Sequence, residues 1–285
     1  MSNLTVPLTV PLSQSLRDAV NIALYGGAGA FSPASLFSGG EQGAWYDFSD
    51  LSTLFQDSAG TTPVTADGQS IGKVLDKSGR GNHLIQATGS LKPIYKTSGG
   101  LHWAEFDGVD DGWATAAAVN MAASATASTF LGIKSGSNAV SGIPMELGLG
   151  GAANSLWQHV PAPPFEYQWT ISGSSANTGW TVNDAAYDAP KSAVIACNYN
   201  VLGADRNTQV IPRVNGITPP IAGAGAGTTG TGFVNTHTLF IGRRAAVNNP
   251  FTGNMHQIIL LNRTTTAGEI TNTETYIATK SGVTL

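Results

Sequence analysis

Four acidic residues crowd into the segment Glu105-Phe106-Asp107-Gly108-Val109-Asp110-Asp111. Carboxylates at such spacing support two kinds of chemistry. A retaining glycosidase needs a nucleophile and an acid/base whose carboxyls stand ~5–5.5 Å apart. Calcium takes roughly six to eight oxygen ligands, and Asp107, Asp110 and Asp111 offer hard oxygens in one loop. A structural reading competes with both. Asp107 can accept backbone N–H bonds while Gly108 supplies a positive φ, so that the segment is simply a turn. Gly108 also breaks any strand that would hold Glu105, Asp107 and Asp110 in line, which weighs against catalysis.

A second group is aromatic. Trp157, Tyr167, Trp169, Trp180 and Tyr187 cluster in the middle third of the chain. Flat rings stack on the C–H faces of sugars, which makes these five the candidate glycan-binding residues; their alternative role is ordinary core packing. Other reactive side chains are unpromising. Cys197 is the single cysteine and sits in the apolar run Ala193–Cys197, so it reads as a small buried hydrophobe, and neither a disulfide nor a cysteine zinc site can form. The five histidines (His83, His102, His159, His237 and His256) lack the spacing of a zinc helix, and no Gly-x-Ser-x-Gly elbow occurs.

The elements that must position these residues are mostly strands. Phe165, Tyr167, Trp169 and Ile171 alternate with polar residues, the period of a half-buried strand. Val194–Tyr199, Thr238–Ile241 and Ile258–Leu261 read as buried strands, and Val210–Val214 runs into the hairpin signal Asn215-Gly216. Trp45 and Tyr46 open the β region and are expected to seal one end of the core. At the C-terminus, Thr266-Ala267-Gly268-Glu269 spells a capping box, with Ile270, Thr273 and Ile277 on one helical face and Gly282 as the stop. The pattern predicts an all-β, antiparallel two-sheet sandwich over residues 43–285 with a short C-terminal helix.

Residues 1–42 differ. A tandem Thr-Val-Pro-Leu repeat at 5–12 favours extended backbone, and Leu16, Val20, Ala23 and Leu24 follow at helical spacing behind Ser13 and Ser15, with Gly26 and Gly27 as the stop. The segment predicts a docking arm that joins the chain to other proteins and builds a homo-oligomer. Flexible loops are expected at 136–142 and 223–232.

Composition narrows the partners. Charged residues are only 11 %, the net charge is −4, and no Lys/Arg run exceeds the pair Arg243-Arg244, so nucleic acid is not expected. No apolar run reaches the ~20 residues of a membrane helix. The N-terminus lacks the basic start and apolar stretch of a secretion signal. Synthesis in a reducing cytoplasm and release by lysis are the expectation.

Four segments in order resemble the laminin-G-like, concanavalin A-like jelly-roll family: Phe106-Asp107-Gly108-Val109-Asp110, Val214-Asn215-Gly216, Leu239-Phe240-Ile241-Gly242, and Phe251–Asn262 with Glu269-Ile270. Gly242 is expected to let a neighbouring backbone approach closely. Three further segments resemble those of structural proteins from tailed bacteriophages and prophages: Glu41–Asp50, Phe55–Gly60 and Asp76–His83; the ending Lys280–Leu285 does too. The second resemblance implies a non-enzymatic virion protein, tail-associated or decorating the head, that can bind host surface polysaccharide. The first implies calcium near the Asp107 loop. It also implies a glycoside hydrolase as the alternative, because some glucanases of this fold carry Glu-x-Asp-x-x-Glu; here the last position is Asp110.

Overall fold

Period-2 alternation builds this chain, and its strands sort their apolar faces into one interior. The coordinates, a computed structural model, describe residues 31–148, 152–174, 176–222, 234–244 and 248–285. The expected arm repeat, the helix after Ser13 and the 223–232 loop lie outside them. The compact unit runs Pro33–Leu285. It takes in a 3₁₀ turn at Pro33–Phe37 with Leu36 and Phe37 buried, so the expected boundary at residue 43 moves back to Pro33.

The first strands are β1 (Gly43–Asp47), β2 (Leu54–Phe55), β3 (Lys73–Val74), β4 (Leu84–Ile85), β5 (Ile94–Ser98) and β6 (Leu101–Asp107). Next come β7 (Trp113–Thr115), β8 (Thr126–Ser135), β9 (Met145–Leu147), β10 (Leu156–His159), β11 (Tyr167–Ser172) and β12 (Asn177–Val182). The last are β13 (Lys191–Asn200), β14 (Val210–Val214), β15 (Ile221–Ala222), β16 (Leu239–Ile241) and β17 (Thr252–Leu261). Among the described residues the α-helices are a single turn, α1 (Arg206–Gln209), and α2 (Ala267–Ser281).

Among the described residues these strands form two antiparallel sheets. Sheet A runs β14-β13-β8-β17-β6-β5, with β1 also on β17; sheet B runs β15-β12-β11-β10-β9-β16-β7-β4-β3-β2. β6 pairs with β17 up to Met255, and β1 takes over from Gln257. A bulge at that point lets one strand edge serve two partners end to end. The sandwich expected from the sequence is the one observed, and the Asn215-Gly216 hairpin turn is present with both residues at positive φ.

α2 covers the outer face of sheet A. Its capping box is formed as the sequence predicts: Thr266 accepts from the Glu269 N–H and the Glu269 carboxylate from the Thr266 N–H, and Gly282 closes the helix in the left-handed region. Gly132 on β8 admits the helix, because a Cβ there would stand 2.6 Å from Ile277 Cγ2.

Trp45 departs from expectation. Tyr46 points into the interior between the sheets, so its neighbour Trp45 must point away from it. Trp45 is buried beneath α2 instead, its Nε1 donating to Gln257 Oε1 (3.1 Å) and its ring edge-on to Tyr276 at 6.3 Å. Lys77 stands over the same ring, 4.7 Å from its centre. Truncating a buried Trp costs about 3–5 kcal/mol, so Trp45→Ala should lower the unfolding free energy by an amount in that range, read as a lower denaturation midpoint, and loosen α2. An unchanged midpoint in chemical denaturation would show that the helix does not depend on this ring.

Candidate functional site

Sheet B has no helix over its outer face among the described residues, and that face holds an open concavity. Leu147, Leu156, Leu239, Ile241 and Trp113 all point into the core. Their strand neighbours must therefore point outward. Register lines these up in one row across the sheet: Trp157 beside Glu146, Glu146 beside Phe240, Phe240 beside Ala114, and Ala114 beside Ile85.

The two halves of the row differ. At the β9–β10 end Glu146 and Trp157 are buried. Arg244 donates through Nε to both Glu146 oxygens (3.0 and 3.2 Å), and its guanidinium lies 5.8 Å from the Trp157 ring centre. Burial and the Arg244 charge pull the His159 imidazole down to about 4, so it stays neutral. At the other end Phe240, Ala114 and Ile85 are half-exposed and floor a groove of about 320 Å³. Gln86, Thr115 and Arg243 also line it. Gln86 donates to the Gly112 carbonyl (2.7 Å), and Thr115 Oγ1 accepts from the Leu239 N–H (3.1 Å), so these side chains are fixed in place.

The acidic loop adjoins this groove through Arg243, whose Nη1 donates to the Asp110 carbonyl (2.9 Å). Asp107, Asp110 and Asp111 are brought together, each with a carboxylate oxygen within 4.8 Å of the others'. Part of the cluster serves the turn: Asp107 Oδ1 accepts from the Val109 N–H (2.8 Å), Asp111 Oδ2 accepts from the Asp107 N–H (3.0 Å), and Gly108 sits at φ +78°. Burial first, then the charges of Asp107 and Asp110, push the Asp111 carboxyl up to about 6. Three carboxylate oxygens at this spacing can ligate a cation. Glu105 lies elsewhere, exposed on sheet A with Lys96 3.8 Å away. Gly108 ends the strand before Asp110, and none of these carboxylates lines the groove.

Four of the five aromatic residues expected to bind sugar, Trp157, Tyr167, Trp169 and Tyr187, are buried. Tyr167 and Trp169 share the inward face of β11 with Ile171 and are fully buried between the sheets. Tyr187 packs edge-on against Tyr167 at 5.7 Å, and Trp157 is nearly covered. Trp180 is half-buried with the Arg206 guanidinium 4.8 Å from its ring centre. Period-2 alternation explains the outcome: aromatics in phase with aliphatics go inside. The same alternation flags the ring that was missed. In Leu239-Phe240-Ile241 the flanking residues face the core, so Phe240 must face out, and Arg243 follows it.

No protein-family model matches this sequence, and no curated protein matches it. Solved structures do. Trypanosoma rangeli sialidase in complex with 2,3-difluoro-KDN is 14 % identical, with a TM-score of 0.52 over 99 % of this chain and 37 % of that one. The binding domain of botulinum neurotoxin DC in complex with SialylT is 11 % identical, with a TM-score of 0.52 over 81 % of this chain and 52 % of that one. The chain thus spans only part of either protein, and at these identities the likeness is one of β-sandwich fold.

Asp111 supplies a test. Its folded pKa of about 6 lies above the ordinary 3.8, so ionising it opposes folding. The penalty is absent below the ordinary value, grows as pH rises between the two, and is full above about 6. Asp111→Asn keeps an acceptor for the Asp107 N–H and removes the charge. It should raise Tm at neutral pH by about 2–4 °C and change it little under acid. A variant that melts below wild type at neutral pH would show that the carboxylate stabilises as an anion.

Proposed function

We propose that this chain is a non-enzymatic, saccharide-binding β-sandwich carried on a bacteriophage particle, where it contacts host surface polysaccharide. The groove over β4, β7 and β16 carries the binding half of the proposal. It has the size of a small-molecule site, an apolar floor with one half-exposed ring, and a few fixed polar groups at its rim. A sugar presents apolar C–H faces to such a ring and hydroxyls to such a rim. The non-enzymatic half is supported by the placement of the acids, since Glu105 and Asp110 do not face one another across the groove. The virion setting is supported by the sequence segments at 41–50, 55–60 and 76–83. Calcium held by Asp107, Asp110 and Asp111 belongs to the same proposal as a rigid support for the groove's end. Calcium should raise Tm of the wild type and leave Asp111→Asn unchanged.

Phe240→Ala should abolish binding to immobilised host polysaccharide while the protein still melts cooperatively, since the ring lies outside the core. Binding that survives this substitution would remove the groove from the proposal, and release of reducing ends from the polysaccharide would make the chain an enzyme.

The arm is proposed to mediate assembly with other virion proteins and with further copies of this chain. Deleting residues 1–27 should leave the Pro33–Leu285 sandwich folded and abolish assembly. Sizing the full-length and truncated proteins side by side reads this, and unchanged stoichiometry would leave the arm without that role.

A further inference from the structure

Arg243 is the one charged residue among the described residues that line the groove. Its stem is pinned: a Cβ on Gly112 would stand 2.7 Å from Arg243 Cγ and 3.0 Å from Cδ, so only glycine lets the side chain lie there. Its hydrogen bond among the described residues runs from Nη1 to the Asp110 carbonyl. A guanidinium carries five N–H donors, so most remain to serve a ligand beside the Phe240 ring.

The charge around that guanidinium runs the other way. Asp110 and Asp111 act on it directly, and Asp107 stands with them. Three carboxylates outnumber one guanidinium at this end, and a divalent cation bound by them would bring the rim to neutrality without an excess of positive charge. Neighbouring cations are engaged elsewhere. Arg244 is held by Glu146, and Lys73 donates to the Ala59 carbonyl (3.1 Å). Without the cation a ligand carboxylate or sulfate meets like charge here, and with it bound the rim offers no net positive charge to draw one; like-charge juxtaposition is how a binding surface rejects wrong partners.

We infer that the groove selects uncharged saccharides, with Arg243 donating to sugar hydroxyls beside Phe240 rather than clamping an anion. This rests on the saccharide reading of the groove given above. Arg243 is then the specificity-determining residue, and its fork of donors matters more than its charge.

The experiment is titration calorimetry of the full chain with two ligand sets. One holds neutral oligosaccharides of glucose, galactose and N-acetylglucosamine; the other holds glucuronate-, galacturonate- and sialic acid-bearing oligosaccharides. The expected result is binding from the neutral set, at least about tenfold weaker binding of every acidic counterpart, and an affinity that does not change with salt, because no ion pair is made. Arg243→Lys keeps the charge and loses the fork; it should weaken neutral binding about tenfold with Tm unchanged. Asp110→Asn should narrow the gap between the two sets. Tighter, salt-sensitive binding of acidic sugars would overturn this inference and leave the groove reading intact. Full affinity in Arg243→Lys would remove Arg243 from its role. If no member of either set binds, the saccharide reading fails and this inference fails with it.

Discussion

The open face of sheet B depends on one close approach. Gly242 ends β16 at φ +85°, and a Cβ there would stand 2.1 Å from Phe106 Cε1. Phe106 cannot yield, because its ring is locked edge-on against Trp113 at 5.3 Å and Phe251 at 5.8 Å. The glycine's backbone is also tied on both sides, its N–H to the Pro144 carbonyl and its carbonyl to the Phe251 N–H. Only a residue without a side chain can turn the chain here. That turn sends Arg243 toward the acidic loop and Arg244 to Glu146. Two adjacent arginines thus acquire opposite roles, one offering donors at the groove and one neutralising a buried acid. The approach expected at Gly242 was that of a backbone; the Asp111 carbonyl oxygen does stand 3.2 Å from the same position, and the Phe106 ring comes closer still.

The segments at 41–50 and 76–83 are used in building the fold. Asp76 is buried and accepts four hydrogen bonds, from the Trp45 N–H, the Ser78 N–H and Oγ, and the Asn82 N–H. Asn82 in turn donates to the Gly43 carbonyl, and Arg80 to the carbonyls of Glu41 and Phe37. The loop at 76–83 therefore clasps the start of β1. Arg263 does the same from the other side, reaching Glu41, Glu269 and the Leu36 carbonyl. Motifs of this kind report architecture, because buried polar groups must find partners wherever the fold recurs.

The two sheets divide the labour. Sheet A has its outer face closed by α2, with Glu274 fully buried against Arg213 (2.8 Å) and Asp47 receiving Tyr276, Ser49 and Gln257. These polar groups answer one another within the chain. On sheet B the row from Phe240 to Ile85 has no such cover among the described residues, which leaves an apolar floor beside donors that the fold does not consume. This difference in coverage is what makes the groove, rather than the helix side, the place to look for a ligand.

Local signals were legible in the sequence. The strand at Tyr167–Ser172, the Asn215-Gly216 turn, the Asp107-Gly108 turn and the Thr266/Glu269 capping box each depend on residues within a few positions, so spacing alone determines them. Alternation also told which residues share a face. What it could not tell is which face meets the core, or which distant strand lies alongside. Those were decided by tertiary pairing: Tyr46 faces inward and so puts Trp45 under α2, and Phe240 comes to lie beside Ala114 only because β16 pairs with β7, a strand far back in the chain. Four of the five candidate sugar-binding aromatics are buried for the same reason, since a ring's exposure depends on what packs over it. A sequence specifies periodicity, turns and caps through short-range sterics and hydrogen bonds; a site drawn from β4, β7 and β16 exists only once long-range register has placed them side by side.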